Sequence, residues 1–178
     1  HRGVGYTFKL SYTGPLPGKE SSIKVDIRTK EVVTTPLLER PVLKTYIEYD
    51  FPEGSSLKTY SLEEIVIEKF VALFDKSRNQ PRDLYDIWYL IESGHVSLKE
   101  LRNAIEDKLS FRDKTLETVQ SEFLRKEDKL KQLWLKQLRA QMVELPEFEL
   151  VFRSVKRSFR QAKLLKGNSY YLPKLSLW

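Results

Sequence analysis

Residues 61–91, SLEEIVIEKFVALFDKSRNQPRDLYDIWYLI, decide the fold, because they set one cation and two acids among the apolar positions of two helices. Ser61 with Glu64 three residues on is a capping box, which predicts a helix from there to about Asp75. Leu62, Ile65, Val66, Phe70, Leu73 and Phe74 recur at helical spacing, and Lys69 stands inside that stripe where leucine is the usual occupant. A lysine so placed either lays its stem on apolar surface with its head in water or meets an anion. After the polar break SRNQ, Pro81 suits a first helical turn and predicts a second helix running through Ile91. Asp83 and Asp86, three apart, share one face of it. Acids there complement the helix dipole, and Asp86 is also four residues from Arg82, a spacing that pairs opposite charges.

Working outward, 178 residues with 40% hydrophobic and 31% charged composition describe a globular chain of one domain or two small lobes. No apolar run reaches the roughly 20 residues of a membrane helix, and no secretory signal opens the chain. With no cysteine and only His1 and His95, disulfides and zinc sites are excluded, so any metal must be a hard cation held by carboxylates. The absence of cysteine fits a cytoplasmic protein. The net charge of +6 resides in the last stretch, where Arg153, Lys156, Arg157, Arg160, Lys163, Lys166 and Lys174 meet no acid. Such a segment suits a polyanion such as RNA or DNA, or serves as a solvated face or a dock for an acidic protein surface.

Upstream, Tyr6, Phe8, Leu10 and Tyr12 alternate with polar residues, and after the turn-rich TGPLPGKESS so do Ile23, Val25 and Ile27. The two runs predict a hairpin with Lys24, Asp26 and Arg28 on its polar face, followed by a strand near residues 42–49. A chain that starts inside its sheet predicts an incomplete N-terminus. Downstream, Ser97 with Glu100 and Ser110 with Asp113 predict two further capped helices, the second a long one reaching Met142 with Leu116, Val119, Phe123, Leu130, Leu133, Trp134, Leu135 and Leu138 as its packing stripe or as a groove for a partner helix. Pro146 breaks it, and a basic amphipathic helix follows with Phe148, Val151, Phe152, Val155 and Phe159 inward. Glu147 and Glu149, spaced like a diacid, suit that helix's N-terminus. The tail GNSYYLPKLSLW mixes aromatic and basic residues, either to stack on single-stranded nucleic acid or to dock on the body.

The run of Lys69, Ala72, Leu73, Arg78 and Arg82-Asp83-Leu84-Tyr85-Asp86-Ile87-Trp88 resembles the helical signature of the AbiEii/AbiGii-type nucleotidyltransferase toxins, a branch of the DNA polymerase β-like superfamily. Ile23-Lys24-Val25-Asp26-Ile27 resembles the strand that carries the superfamily's third active-site carboxylate. The resemblance covers most of the chain and implies an α+β fold: residues 1–58 as the C-terminal part of a nucleotidyltransferase sheet, residues 59–178 as a helical bundle. It implies transfer of a nucleoside monophosphate from an NTP, with Mg2+ as cofactor and Asp26 among its ligands. Lys69 would meet the triphosphate, Arg78 and Arg82 would add phosphate or acceptor contacts, and Asp83, with Asp86 second, would orient Lys69 or an arginine rather than bind metal. Asp26, Lys69 and Asp83 would then converge on one cleft. Lys156, Arg157 and Arg160 would grip the acceptor, an RNA such as tRNA or else a protein, and a separate antitoxin encoded nearby would neutralise the toxin in the cytoplasm. The family's N-terminal Gly-Ser loop and Asp-x-Asp pair have no counterpart, since Gly54-Ser55 is followed by Leu57 and a helix. Either the chain is a piece of a longer enzyme or it is a degenerate relative acting as a non-catalytic binding module. A purely structural scaffold instead predicts an exposed Lys69 with no acid in range.

Overall fold

The computed structural model describes residues 5–13, 18, 20–43, 52 and 54–166. Among these, two antiparallel strand pairs precede six α-helices, an α+β arrangement. Internal contacts divide the chain into two units, residues 1–33 and 34–178.

The first unit holds the expected hairpin, β1 (Gly5–Tyr12) against β2 (Ser21–Arg28). The register sets Tyr6 opposite Ile27, Phe8 opposite Val25 and Leu10 opposite Ile23. Directly opposed residues share a face, so the two apolar alternations coincide and Thr7, Lys9, Lys24 and Asp26 fall together on the other side.

The second unit has its own strand pair, β3 (Leu38–Pro41) with β4 (Ser56–Thr59). The strand expected near residues 42–49 falls almost wholly outside the described residues, which omit residues 44–50. A strand, β4, stands between Gly54-Ser55 and the first helix.

In α1 (Leu62–Leu73) the Ser61 hydroxyl accepts the Glu64 amide at 3.1 Å, so the helix starts where its cap predicts. Only half of the capping box forms, because the Glu64 side chain is used elsewhere. The buried face is Val66, Ile67, Phe70, Val71, Leu73 and Phe74; Leu62, expected inside, is exposed. Pro81 opens α2 (Pro81–Glu92) as anticipated, burying Leu84 and Ile87. Its end is fixed by Gly94 at φ 70°, a left-handed conformation that a Cβ disfavours, which lets the His95 amide return to the Leu90 carbonyl at 3.0 Å.

The next helices are α3 (Leu98–Phe111), α4 (Leu116–Arg125), α5 (Glu127–Leu138) and, after a 3-10 turn, α6 (Phe148–Gln161). Ser97 stands at the N-cap of α3, yet its hydroxyl makes no capping bond. Ser110 lies inside α3 and Asp113 takes a left-handed φ of 54°, so the box is made instead by Thr115 and Thr118 at the start of α4. The long helix expected from there breaks at Lys126, and Leu135 turns outward.

The core is aromatic where α1, α4 and α6 meet. Phe70 lies 5.0 Å edge-on from Phe159, and Phe123 stacks on Phe152 at 4.7 Å. Helix α6 buries Phe148, Val151, Phe152, Val155 and Phe159, as its spacing predicts. The Trp134 indole N–H donates to the Pro146 carbonyl at 2.9 Å, fixing the chain ahead of α6. Helix α2 packs on α1, α5 and α6, which leaves the corner between α1 and α2 against the α4–α5 junction.

Candidate functional site

At that corner Asp83 of α2 is 1% exposed and acts as an anionic hub. Lys69 Nζ donates to its Oδ1 at 3.1 Å, while Arg78 donates Nε to Oδ2 at 2.7 Å and a terminal nitrogen to Oδ1 at 3.2 Å. Lys69 also pairs with Asp86 at 2.5 Å, since Asp83 and Asp86 do share a face. A carboxylate that accepts a guanidinium through two atoms fixes its plane, and Asp83 in turn raises Arg78 above its ordinary pKa. Lys69 is 24% exposed and Arg78 40%, so each cation keeps donors on the side facing solvent. The arrangement can present two fixed positive groups to an anion without letting either side chain wander. Arg82 is exposed and, among the described residues, forms no ion pair, so the pairing with Asp86 offered by its spacing is not used. The scaffold reading, with Lys69 exposed and far from any acid, is not what the fold adopts.

In the hairpin Asp26 accepts the Thr7 hydroxyl at 2.6 Å and pairs with Lys24 at 3.0 Å. The Thr7 bond first, and Lys24 second, hold its carboxyl below the usual carboxylate value.

Residues 2–162 match the family model named Nucleotidyl transferase AbiEii toxin, Type IV TA system. The chain belongs to the AbiEii family. No curated protein and no solved structure matches it. Among the described residues no helix is long and apolar enough to cross a membrane.

The matched segment of this AbiEii chain contains both the α1–α2 corner and Asp26. Nucleotidyl transfer through bound magnesium takes several carboxylates around the ions. Among the described residues no three potential ligands gather, and Asp26 is already committed to Thr7 and Lys24. The described residues therefore do not by themselves build a magnesium site.

Two lysines that the spacing of the apolar residues did not single out hold the corner from behind. Lys126, 5% exposed at the α4–α5 junction, donates to the carbonyl of Asp75 and to that of Arg78 at 2.6 Å. Lys114 donates to the Phe74 carbonyl at 3.3 Å, giving α1 the cation at its C-terminus that its own last turn lacks. A second cluster is equally unannounced: Lys108 of α3, fully buried, donates to Glu64 at 2.9 Å and also pairs with Glu68. The same Glu64 accepts the amides of Thr34 and Thr35 at 3.0 and 2.9 Å and both their hydroxyls. A signal for both was present, because Lys108 stands between Ile105 and Leu109 and Lys126 between Phe123 and Leu130, each a cation in an apolar stripe just as Lys69 is.

On α6 Arg157 and Arg160 are exposed, and Lys156 lies 5.9 Å over the Phe152 ring. The aromatic and basic tail from Gly167 falls outside the described residues.

Proposed function

We propose that this AbiEii-family chain transfers a nucleoside monophosphate from an NTP to an acceptor hydroxyl, as the cytoplasmic toxin of a type IV pair whose antitoxin is encoded nearby. The observation that carries the reading is Lys69, joined to Asp83 and Asp86 beside Arg78 within the family-matched segment. In such a transfer the acceptor oxygen bonds to the α-phosphorus as the bond to pyrophosphate breaks, and negative charge grows on the phosphoryl oxygens and the leaving group. Lys69 and Arg78 bind those oxygens with the donors that Asp83 and Asp86 do not use. Asp83, with Asp86 second, orients the cations and does not ligate metal. Arg82 adds a further positive charge next to them. Asp26, released from Lys24, would supply one of the several carboxylates that Mg2+ needs, and the ion when bound would neutralise charge on the phosphates. Lys156, Arg157 and Arg160 hold the phosphates of an RNA acceptor, with tRNA the first to try.

The test is incubation of the full-length protein with each α-labelled NTP and total RNA. Label should enter RNA, and Lys69→Ala should slow its entry by about 100-fold or more, the usual cost of one electrostatic donor. Absence of transfer from all four nucleotides, to RNA and to protein alike, overturns the reading.

A second reading, a non-catalytic binding module, is favoured by the sequence containing no Asp-x-Asp. Under both readings Arg157→Glu with Arg160→Glu should weaken RNA binding and flatten its log-log salt slope by about 2, one unit for each phosphate no longer neutralised, measured by fluorescence anisotropy. An unchanged slope removes α6 from the acceptor surface. Transfer of label separates the two readings.

A further inference from the structure

We infer that Lys126 is a positioning residue, whose buried ammonium bridges the two carbonyls that bound the α1–α2 turn and so fixes the Arg78 guanidinium against Asp83. A lysine buried in an apolar stripe loses hydration that backbone carbonyls only partly replace, and leucine would fill the gap between Phe123 and Leu130 at lower cost. Burial is the largest influence on Lys126 and pulls its pKa below the ordinary lysine value, with the Asp75 carboxylate opposing. What the ammonium gains is geometric. The Asp75 carbonyl that it holds also accepts the Arg78 amide at 3.1 Å, closing the turn, and its second acceptor is the carbonyl of Arg78 itself. The backbone on both sides of the guanidinium's attachment point is thereby pinned from α4–α5. Ordinary capping of α1 does not explain this, because Lys114 already reaches the Phe74 carbonyl, whereas Arg78 lies past the helix end. The importance of that positioning for nucleotide transfer rests on the function proposed above; the geometry does not.

The experiment is hydrogen exchange of the Arg78 Nε–H in 15N-labelled full-length protein, its resonance assigned by its loss in Arg78→Lys. Wild type and Lys114→Met should both show slow exchange. In Lys126→Met, exchange should quicken by about tenfold or more as the ion pair opens more often, and Lys126→Arg, which keeps charge and donors, should restore part of the protection. Should Lys126→Met fail to fold, Lys126→Gln is read in the same way. A folded Lys126→Met or Lys126→Gln with unchanged Arg78 exchange overturns the inference. In the transfer assay KM for the NTP should rise about tenfold with kcat altered less, since a displaced binding group costs affinity first. Faster exchange with KM unchanged upholds the positioning role and counts against the proposed nucleotide site.

Discussion

Lys108→Met should lose about 3–5 kcal/mol of folding stability in urea or thermal unfolding, because it leaves the fully buried Glu64 carboxylate without its cation. Lys108→Met combined with Glu64→Gln should recover a good part of the loss, since a neutral amide needs no counter-charge and can still accept from Thr34 and Thr35. Recovery is what separates an uncompensated charge from a simple packing defect. The pH dependence has a definite sign. Burial alone would push the Glu64 carboxyl up, but Lys108 and the Thr34 hydroxyl outweigh it and the pKa ends below the ordinary 4.5. The contribution of Glu64 is therefore present above about that value and lost as pH falls through the lower folded one. For Lys108 burial pulls down while Glu68 and Glu64 lift it above the ordinary 10.5, so its share is complete below that value and lost as pH rises through the raised one. Below the lysine limit the gap between wild type and Lys108→Met should be flat only down to the pH at which Glu64, no longer held down by Lys108, begins to protonate in the variant. Toward acid it should narrow, as the orphaned Glu64 takes up a proton. A gap that widens on acidification would contradict this account.

Asp83→Asn should combine a moderate stability cost with a large functional one. The carboxylate is buried, but both of its cations reach solvent and can rehydrate, so a loss of about 1–3 kcal/mol is expected. Transfer of label should fall about 100-fold, because the amide can no longer hold Lys69 and Arg78 together and misplacement of a binding group is amplified in the rate. Asp86→Asn, which among the described residues pairs with Lys69 alone and from a partly exposed position, should do less. Rates compared at matched folded fraction, determined from the urea curves, separate the two components. An Asp83→Asn variant that transfers label at the wild-type rate would remove the hub from the mechanism.

Much of this arrangement could be read from the residues in order. The helix starts at Ser61 and Pro81, the hairpin of β1 and β2 and the inward face of α6 follow from local spacing, which is where sequence carries most information. An anion for Lys69 was one of two readings left open by its place in an apolar stripe, and the fold takes it. What escaped depends on distant partners. Glu64 read as a capping acid because Ser61 lies three residues before it, yet Thr34, Thr35 and Lys108 outbid the local amide for its oxygens. Four-residue strands such as β3 and β4 are too short for alternation to declare them. The break at Lys126 hid inside a stripe that keeps its phase from Phe123 to Leu130. Asp26 belongs to the hairpin unit, where its partners are Thr7 and Lys24.

Lys126 grips Arg78 from 48 positions further along the chain. On the ribosome, both helices that bear Lys69, Asp83 and Asp86 are complete well before the clasp that locks their corner has been synthesised. A nascent chain halted short of Lys126 would carry every one of those charged groups and still lack the pinned turn.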